Sequence, residues 1–158
     1  MSRAMRRFKQ ALSQGECKEI LGAEPRGVLS VIGDDGYPYG VPMNFYYDEA
    51  ENRIYFHCAK VGHKLDAIKS CSKVCFTTWD KGLKEADDWA WHVRSVIVMG
   101  QAALVEDSAV IEEKVRQLAL KYYPTPEEVE MEISRDIHRM GFIALDIRQM
   151  TGKRVKEK

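Results

Sequence analysis

Apolar positions along this chain change period several times, and each change marks the boundary of an element. Two extended runs, V-L-S-V-I after Gly27 and Y-G-V-P-M-N-F-Y-Y ending at Tyr47, flank the turn signal Gly33-Asp34-Asp35-Gly36, a pattern that predicts an antiparallel hairpin. A second turn at Asp48 to Asn52 leads into a third strand over Arg53 to Cys58, where Ile54, Tyr55 and Phe56 have the β-branched and aromatic character of a pleated core. Lys73 to Trp79 reads as a fourth strand. After a polar loop, Arg94 to Val105 forms a long apolar run in which Gly100 breaks the pattern, as at a bulge or a barrel corner. Elsewhere the period lengthens. Ser13 and Glu16 have the spacing of a capping box, opening a short leading helix through Cys17, Ile20 and Leu21 that stops near Gly22 and Pro25. Leu65 and Ile68 share a helix face after Gly62. Ile111, Val115, Leu118 and Tyr122 do the same after a cap at Asp107 or Ser108, and this helix is expected to pack on the barrel. Thr125-Pro126-Glu127-Glu128 opens a further helix toward His138, with Gly141 as its end. Phe142 to Ile147 supplies a last strand, and Thr151 to Lys158 is expected to be a mobile basic tail. About six strands in hairpin order, with three or four helices, predict an α+β fold around a small closed or partly closed barrel.

Composition narrows the function. The 158 residues fit one domain with a full core, residues 1–158 without repeat or linker. Acidic and basic residues balance at 24 each, which argues against nucleic acid or an anionic membrane surface as partner and for a small-molecule ligand. No apolar run is long enough to span a membrane, and the basic start M-S-R-A-M-R-R-F-K lacks the apolar core of a secretory signal, so a cytoplasmic location is expected. Cys17, Cys58, Cys71 and Cys75 form no C-x-x-C pair and are expected as reduced thiols, with Cys58 and Cys75 as small core residues. No metal site is expected, because adjacent strand residues such as His57 and Cys58 point to opposite faces. Neither G-x-G-x-x-G nor a P-loop is present.

The stretch from Arg53 to Ser70 carries the chemistry. A buried strand passes through Gly62 into a helix whose first residues are His63 and Lys64. Unpaired N–H groups and a partial positive charge at a helix start, with two basic side chains beside them, suit an anion such as a phosphate. The same residues also suit an ordinary strand–helix connection. Pro42 cannot donate to a ladder, so its strand should lie at an edge or bulge. Asn44 among apolar neighbours needs hydrogen-bond partners if buried. His57 is the candidate acid or base facing a substrate, or else a histidine that packs within the barrel. Trp79, Trp89 and Trp91 either cover a pocket, form a subunit contact or close a barrel end.

The blocks G-V-L-S-V-I-G-D-D-G-Y-P-Y-G-V-P-M-N-F-Y-Y and I-Y-F-H-C-A-K-V-G-H-K-L-D-A-I, at their present separation, resemble the FMN-binding split-barrel family related to pyridoxamine 5′-phosphate oxidase, and within it the branch of the 5-nitroimidazole resistance proteins. The likeness covers Met5 to Glu106 and returns over Phe142 to Arg154. It implies an antiparallel six-stranded split β-barrel with flanking helices, and a homodimer with FMN at the subunit interface. By the resemblance, Val41, Pro42, Met43 and Asn44 would line the isoalloxazine ring, and His57, Cys58 and Ala59 would continue that wall. Gly62, His63 and Lys64 would hold the phosphate, and Ser95 and Val96 would approach the flavin. The implied activity is an FMN-dependent reductase that passes electrons from a transiently bound NAD(P)H to a small acceptor, a nitroaromatic compound among the candidates. The alternative is a non-enzymatic flavin- or haem-binding protein acting in storage or redox sensing.

Overall fold

In the computed structural model, which describes residues 4–123 and 125–157, eight antiparallel strands form a single curled sheet that makes a half-barrel. They are β1 (Arg26–Ile32), β2 (Pro38–Asn44), β3 (Tyr46–Asp48), β4 (Arg53–Ala59), β5 (Lys73–Trp79), β6 (Leu83–Lys84), β7 (Trp91–Leu104) and β8 (Met140–Glu157). The spatial order is β2-β1-β5-β7-β8-β4-β3, with β6 paired to β7. The six long strands are those the hydrophobic runs predict. The other two depend on local interruptions: β3 is cut from β2 at Phe45, whose N–H donates to the Tyr122 hydroxyl at 3.0 Å, and β6 is only two residues long. Pro42 sits in β2 at one end of the sheet order, the edge position that its missing N–H requires.

Four α-helices flank the sheet: α1 (Gln14–Ala23), α2 (His63–Ser70), α3 (Ser108–Leu120) and α4 (Pro126–Asp136). Their starts follow local chemistry. Ser13 and Glu16 complete the capping box of α1, Asp107 accepts from Ala109 and Val110 N–H at the start of α3, and Thr125 caps α4 with Pro126 in its first turn. No helix among the described residues is long and apolar enough to cross a membrane.

Two apolar clusters hold these layers together. Inside the barrel, Leu29, Phe45, Ile54, Phe56, Phe76 and Val98 pack with Leu21 of α1 and Leu65 of α2. Each such fully buried side chain contributes about 1.5–3 kcal/mol. On the outer side of β4 and β8, Tyr55 and Phe142 stack at 5.7 Å beneath Val115, Leu118, Val129 and Ile133 of α3 and α4. Beside this cluster the Lys114 ammonium, 4 % exposed, lies 2.8 Å from both Asp48 and Glu51. It fixes α3 to the β3–β4 hairpin.

The chain end differs from expectation. The segment after Thr151 is the second half of β8, paired with β7 from Ile97 back to Trp91, because its alternating half-buried side chains complete the sheet and its backbone finds ladder partners. The helix opened at Thr125 ends at Asp136, followed by one 3₁₀ turn, and Gly141 lies within β8. Glycine is needed there because a Cβ would come 2.7 Å from the Ala59 carbonyl oxygen. β7 starts at Trp91, three residues before the apolar run, and its register with β8 shifts between Met99 and Gly100, the bulge expected at that glycine.

Candidate functional site

The corner where β4 hands over to α2 rests on Gly62, which has φ 139°, a region L side chains rarely adopt. Its carbonyl accepts from Leu65 and Asp66 N–H at 2.9 and 3.2 Å, closing the first turn, and no side chain caps the helix. The start of α2 thus keeps unpaired donors, as an anion site requires. Lys64 is half-buried beside it and enters no ion pair among the described residues. His63 behaves differently from the expectation of a side-chain anion donor. Its Nε2 accepts from Asp34 N–H at 3.2 Å and its ring lies 4.4 Å from that of Tyr39, so the imidazole straps the β1–β2 turn to α2.

Strand alternation sorts the remaining predicted residues. In β4, Phe56 belongs to the barrel core and Cys58 packs against it, whereas Tyr55 belongs to the cluster under α3 and α4. His57 and Ala59 share the Tyr55 face. In β2, Val41 and Met43 pack against the barrel core, while Pro42 and Asn44 alternate away from it. Consecutive residues therefore cannot all present side chains to one ligand face. The two that meet are Asn44 and His57, which border a common cavity of about 450 Å³. Ser95 and Val96 are not brought to it: Ser95 lies on the sheet's outer face, paired with Trp79 and Lys153, and Val96 is fully buried in the barrel core. Cys75 also departs from expectation. It is half-buried on the outer face opposite Met99 rather than in the core, and all four cysteines are free thiols.

His57 is exposed at the cavity rim, yet the protein packed around it and, secondarily, the Lys64 ammonium lower its pKa from 6.5. At neutral pH the ring is therefore neutral, able to donate from one nitrogen and accept at the other. Burial raises the Cys58 thiol, with Lys64 acting against it, so Cys58 is no ready thiolate.

The far wall of the cavity comes from α3 and α4 and includes Tyr122, Tyr123, Glu132 and Asp136. Their periodicity identifies helices but does not say which strands the helices cover, so nothing in the sequence marks these residues as site residues. The wall is locked in place at the C-terminal end of α3. Lys121 donates to the carbonyls of Glu24 and Phe45 at 2.7 and 3.2 Å, its ammonium lying 4.0 Å from the Phe45 ring centroid, and the Tyr122 hydroxyl donates to the carbonyls of Pro25 and Phe45.

Away from α3 and α4, the outer face of the sheet carries two rows without charge. One row across the strands reads Pro42, Val28, Thr77, Ile97, Thr151, and the next reads Gly40, Ser30, Cys75, Met99, Gln149. Trp79 and Trp91 lie beyond them on the same face, and Arg26, Lys73 and Lys153 stand at the margins. Ile97 and Met99 are 41 % and 48 % exposed. A sheet with one solvated face normally alternates apolar with charged positions; in these two rows the outward positions are apolar or uncharged, with Ile97 and Met99 exposed, as at an interaction surface.

The sequence matches the family described as pyridoxamine 5′-phosphate oxidase over residues 13–154. Among curated proteins no relative matches. Solved structures similar to this chain include a candidate 5-nitroimidazole antibiotic resistance protein from Bacteroides thetaiotaomicron, at 19% identity and TM-score 0.76 over 93% of this chain and 87% of the other. The flavocytochrome Anf3 from Azotobacter vinelandii is similar at 24% identity and TM-score 0.75, covering 96% and 72% of the two chains. The FAD-binding protein from Mycobacterium smegmatis is similar at 24% identity and TM-score 0.65, covering 94% and 99%. These likenesses establish the split-barrel fold.

Proposed function

Since the chain belongs to the pyridoxamine 5′-phosphate oxidase family, we propose that it is an FMN-binding oxidoreductase, a reductase that transfers electrons from NAD(P)H to a small acceptor. The observation that carries this reading is the uncapped start of α2 at Gly62, with Lys64 beside it and the cavity of Asn44 and His57 next along β4. Flavin binding is supported by the flavocytochrome and the FAD-binding protein among the similar structures.

In this reading the backbone N–H groups of the α2 start and the Lys64 ammonium hold the phosphate. The ends of β2 and β4 flank the ring, with Asn44 and Ala59 at its edge. Bound flavin supplies the two-electron chemistry, while the protein orients it and tunes its surroundings. His57, as a neutral imidazole, hydrogen-bonds the acceptor and can hold a proton at its unprotonated nitrogen. The two uncharged rows of the outer sheet face pair two copies as a homodimer, which brings a second subunit toward each cofactor. A nitroaromatic acceptor is consistent with the similarity to the candidate 5-nitroimidazole resistance protein.

The test is extraction and mass analysis of what co-purifies, followed by anaerobic titration with NAD(P)H. FMN in the extract and bleaching of the yellow colour are expected. Colour that persists with the reductant present would favour a flavin carrier, and a Soret band after haem addition would favour haem handling. A colourless protein whose Tm is unchanged by added FMN would end the cofactor reading.

A further inference from the structure

The cavity of Asn44 and His57 continues beneath α3 and α4, away from the corner that would hold the phosphate. Its volume of about 450 Å³ suits a molecule of one or two rings. Val115, Leu118 and Ala119 of α3 and Ile133 of α4 give it apolar walls. The charged lining residues are two carboxylates, Glu132 and Asp136, four positions apart and so on one face of α4; among the described residues no lysine or arginine lines it.

Both carboxylates share one partner. Arg135 lies 2.6 Å from Glu132 and 3.0 Å from Asp136, but its side chain is 67 % exposed, so the cavity mouth keeps an excess negative charge beside a guanidinium largely screened by water. The nearby cations stand outside the lining: Lys64 at the phosphate corner, Lys121 held by the Glu24 and Phe45 carbonyls, and Arg26 opposite Asn44 in electrostatic reach of Tyr122. A neutral His57 adds no charge. A phosphate or carboxylate on the second ligand would lose its hydration here and meet carboxylates as the charged groups of the lining.

The geometry points to a substrate of defined charge: a small molecule with an apolar body, free of phosphate and carboxylate, that bears a cationic or N–H-rich group at the α4 end of this cavity. This inference rests on the cofactor reading above and adds the substrate class to it. Asn44 and His57 receive the reacting end; Glu132 and Asp136 are specificity residues.

Three probes that share a ring and differ in charge test it: 4-nitrobenzylamine, 4-nitrobenzyl alcohol and 4-nitrobenzoate, titrated at pH 7 into the flavin-loaded protein and followed by the visible absorption of the bound flavin. The amine should bind most tightly, with the benzoate at least about tenfold weaker. In Glu132→Gln/Asp136→Asn the three should converge to within about threefold at unchanged FMN content, and in Arg135→Ala the preference for the amine should widen. A benzoate that binds as well as the amine, or a preference that survives the double substitution, overturns the inference. Loss of FMN from the double variant also overturns it, because the cavity then houses the cofactor ring, and it leaves the cofactor reading standing. If the wild-type protein holds no flavin, that reading fails first; the same probes scored by thermal shift still decide the charge preference, an equal shift by benzoate and amine overturning it.

Discussion

Lys64 stands in electrostatic reach of His57 and Cys58 and at the start of α2, so one substitution reads out both the phosphate corner and the cavity. A charge-assisted hydrogen bond is worth about 1.5–3 kcal/mol, so Lys64→Ala should weaken FMN binding by about 10- to 100-fold, measured by quenching of FMN fluorescence. It should also raise the His57 pKa toward 6.5, visible in an NMR titration of the ring protons; a ring that titrates unchanged would separate Lys64 from the site. Lys121 gives a pH signature instead. Burial holds its pKa at about 8, below the 10.5 of an ordinary lysine. The unfolded chain therefore carries a proton that the folded chain releases between those values, and the unfavourable contribution of the buried ammonium fades as pH rises through that window. Urea denaturation at pH 7 and 9 should show this rise in the wild type and lose it in Lys121→Met. The comparison between the two proteins is the readout, because Cys17 and Cys58, raised by burial, act in the opposite sense as the pH passes the ordinary thiol range. Gly62 and Lys64 are legible in the sequence because their signal is local, a glycine between a strand and a helix. The strap from His63 to Asp34 is not, since it joins residues 29 positions apart.

Helix caps show the same division between local and distant causes. Ser13, Asp107 and Thr125 each satisfy donors within a few residues, and the sequence places all three helix starts. Where α3 and α4 dock depends on Tyr55 and Phe142 from distant strands, and no periodicity encodes that choice. The extent of β8 is hidden for a related reason: beyond Thr151 the residues are mostly basic, and only pairing with β7 makes them a strand. The docking of α3 is secured by Lys114. Replacing it with Met would leave Asp48, 8 % exposed, and the neighbouring Glu51 without their shared cation. The expected loss is about 3–5 kcal/mol, measured by chemical denaturation; a loss under about 1 kcal/mol would mean that water replaces the ammonium.

For the molecule as a whole, the uncharged rows of the outer sheet face make the strongest demand on their surroundings. Ile97→Glu places a carboxylate in the middle of the Pro42–Thr151 row, where desolvation would oppose pairing of two such faces. The variant should run as a monomer by light scattering while keeping its fold, and should lose FMN if the second subunit completes the cofactor site. A wild-type protein that is already monomeric at micromolar concentration would remove the homodimer from the proposal. The general architecture is readable from hairpin order and helix period, but the pairing of whole faces is not, because an outward apolar residue in a strand looks the same in sequence as an inward one.

The position of β8 in the sheet has a consequence for biosynthesis. It joins β7 on one side and β4 on the other, so the β4–β3 pair meets the rest of the sheet through a segment that the ribosome makes after everything it connects. Two partly formed halves must wait, their inner surfaces wet, until residues 140–157 emerge and slide between them, which is a long-range closure of the slow kind. During that interval a nascent chain has most to gain from a chaperone.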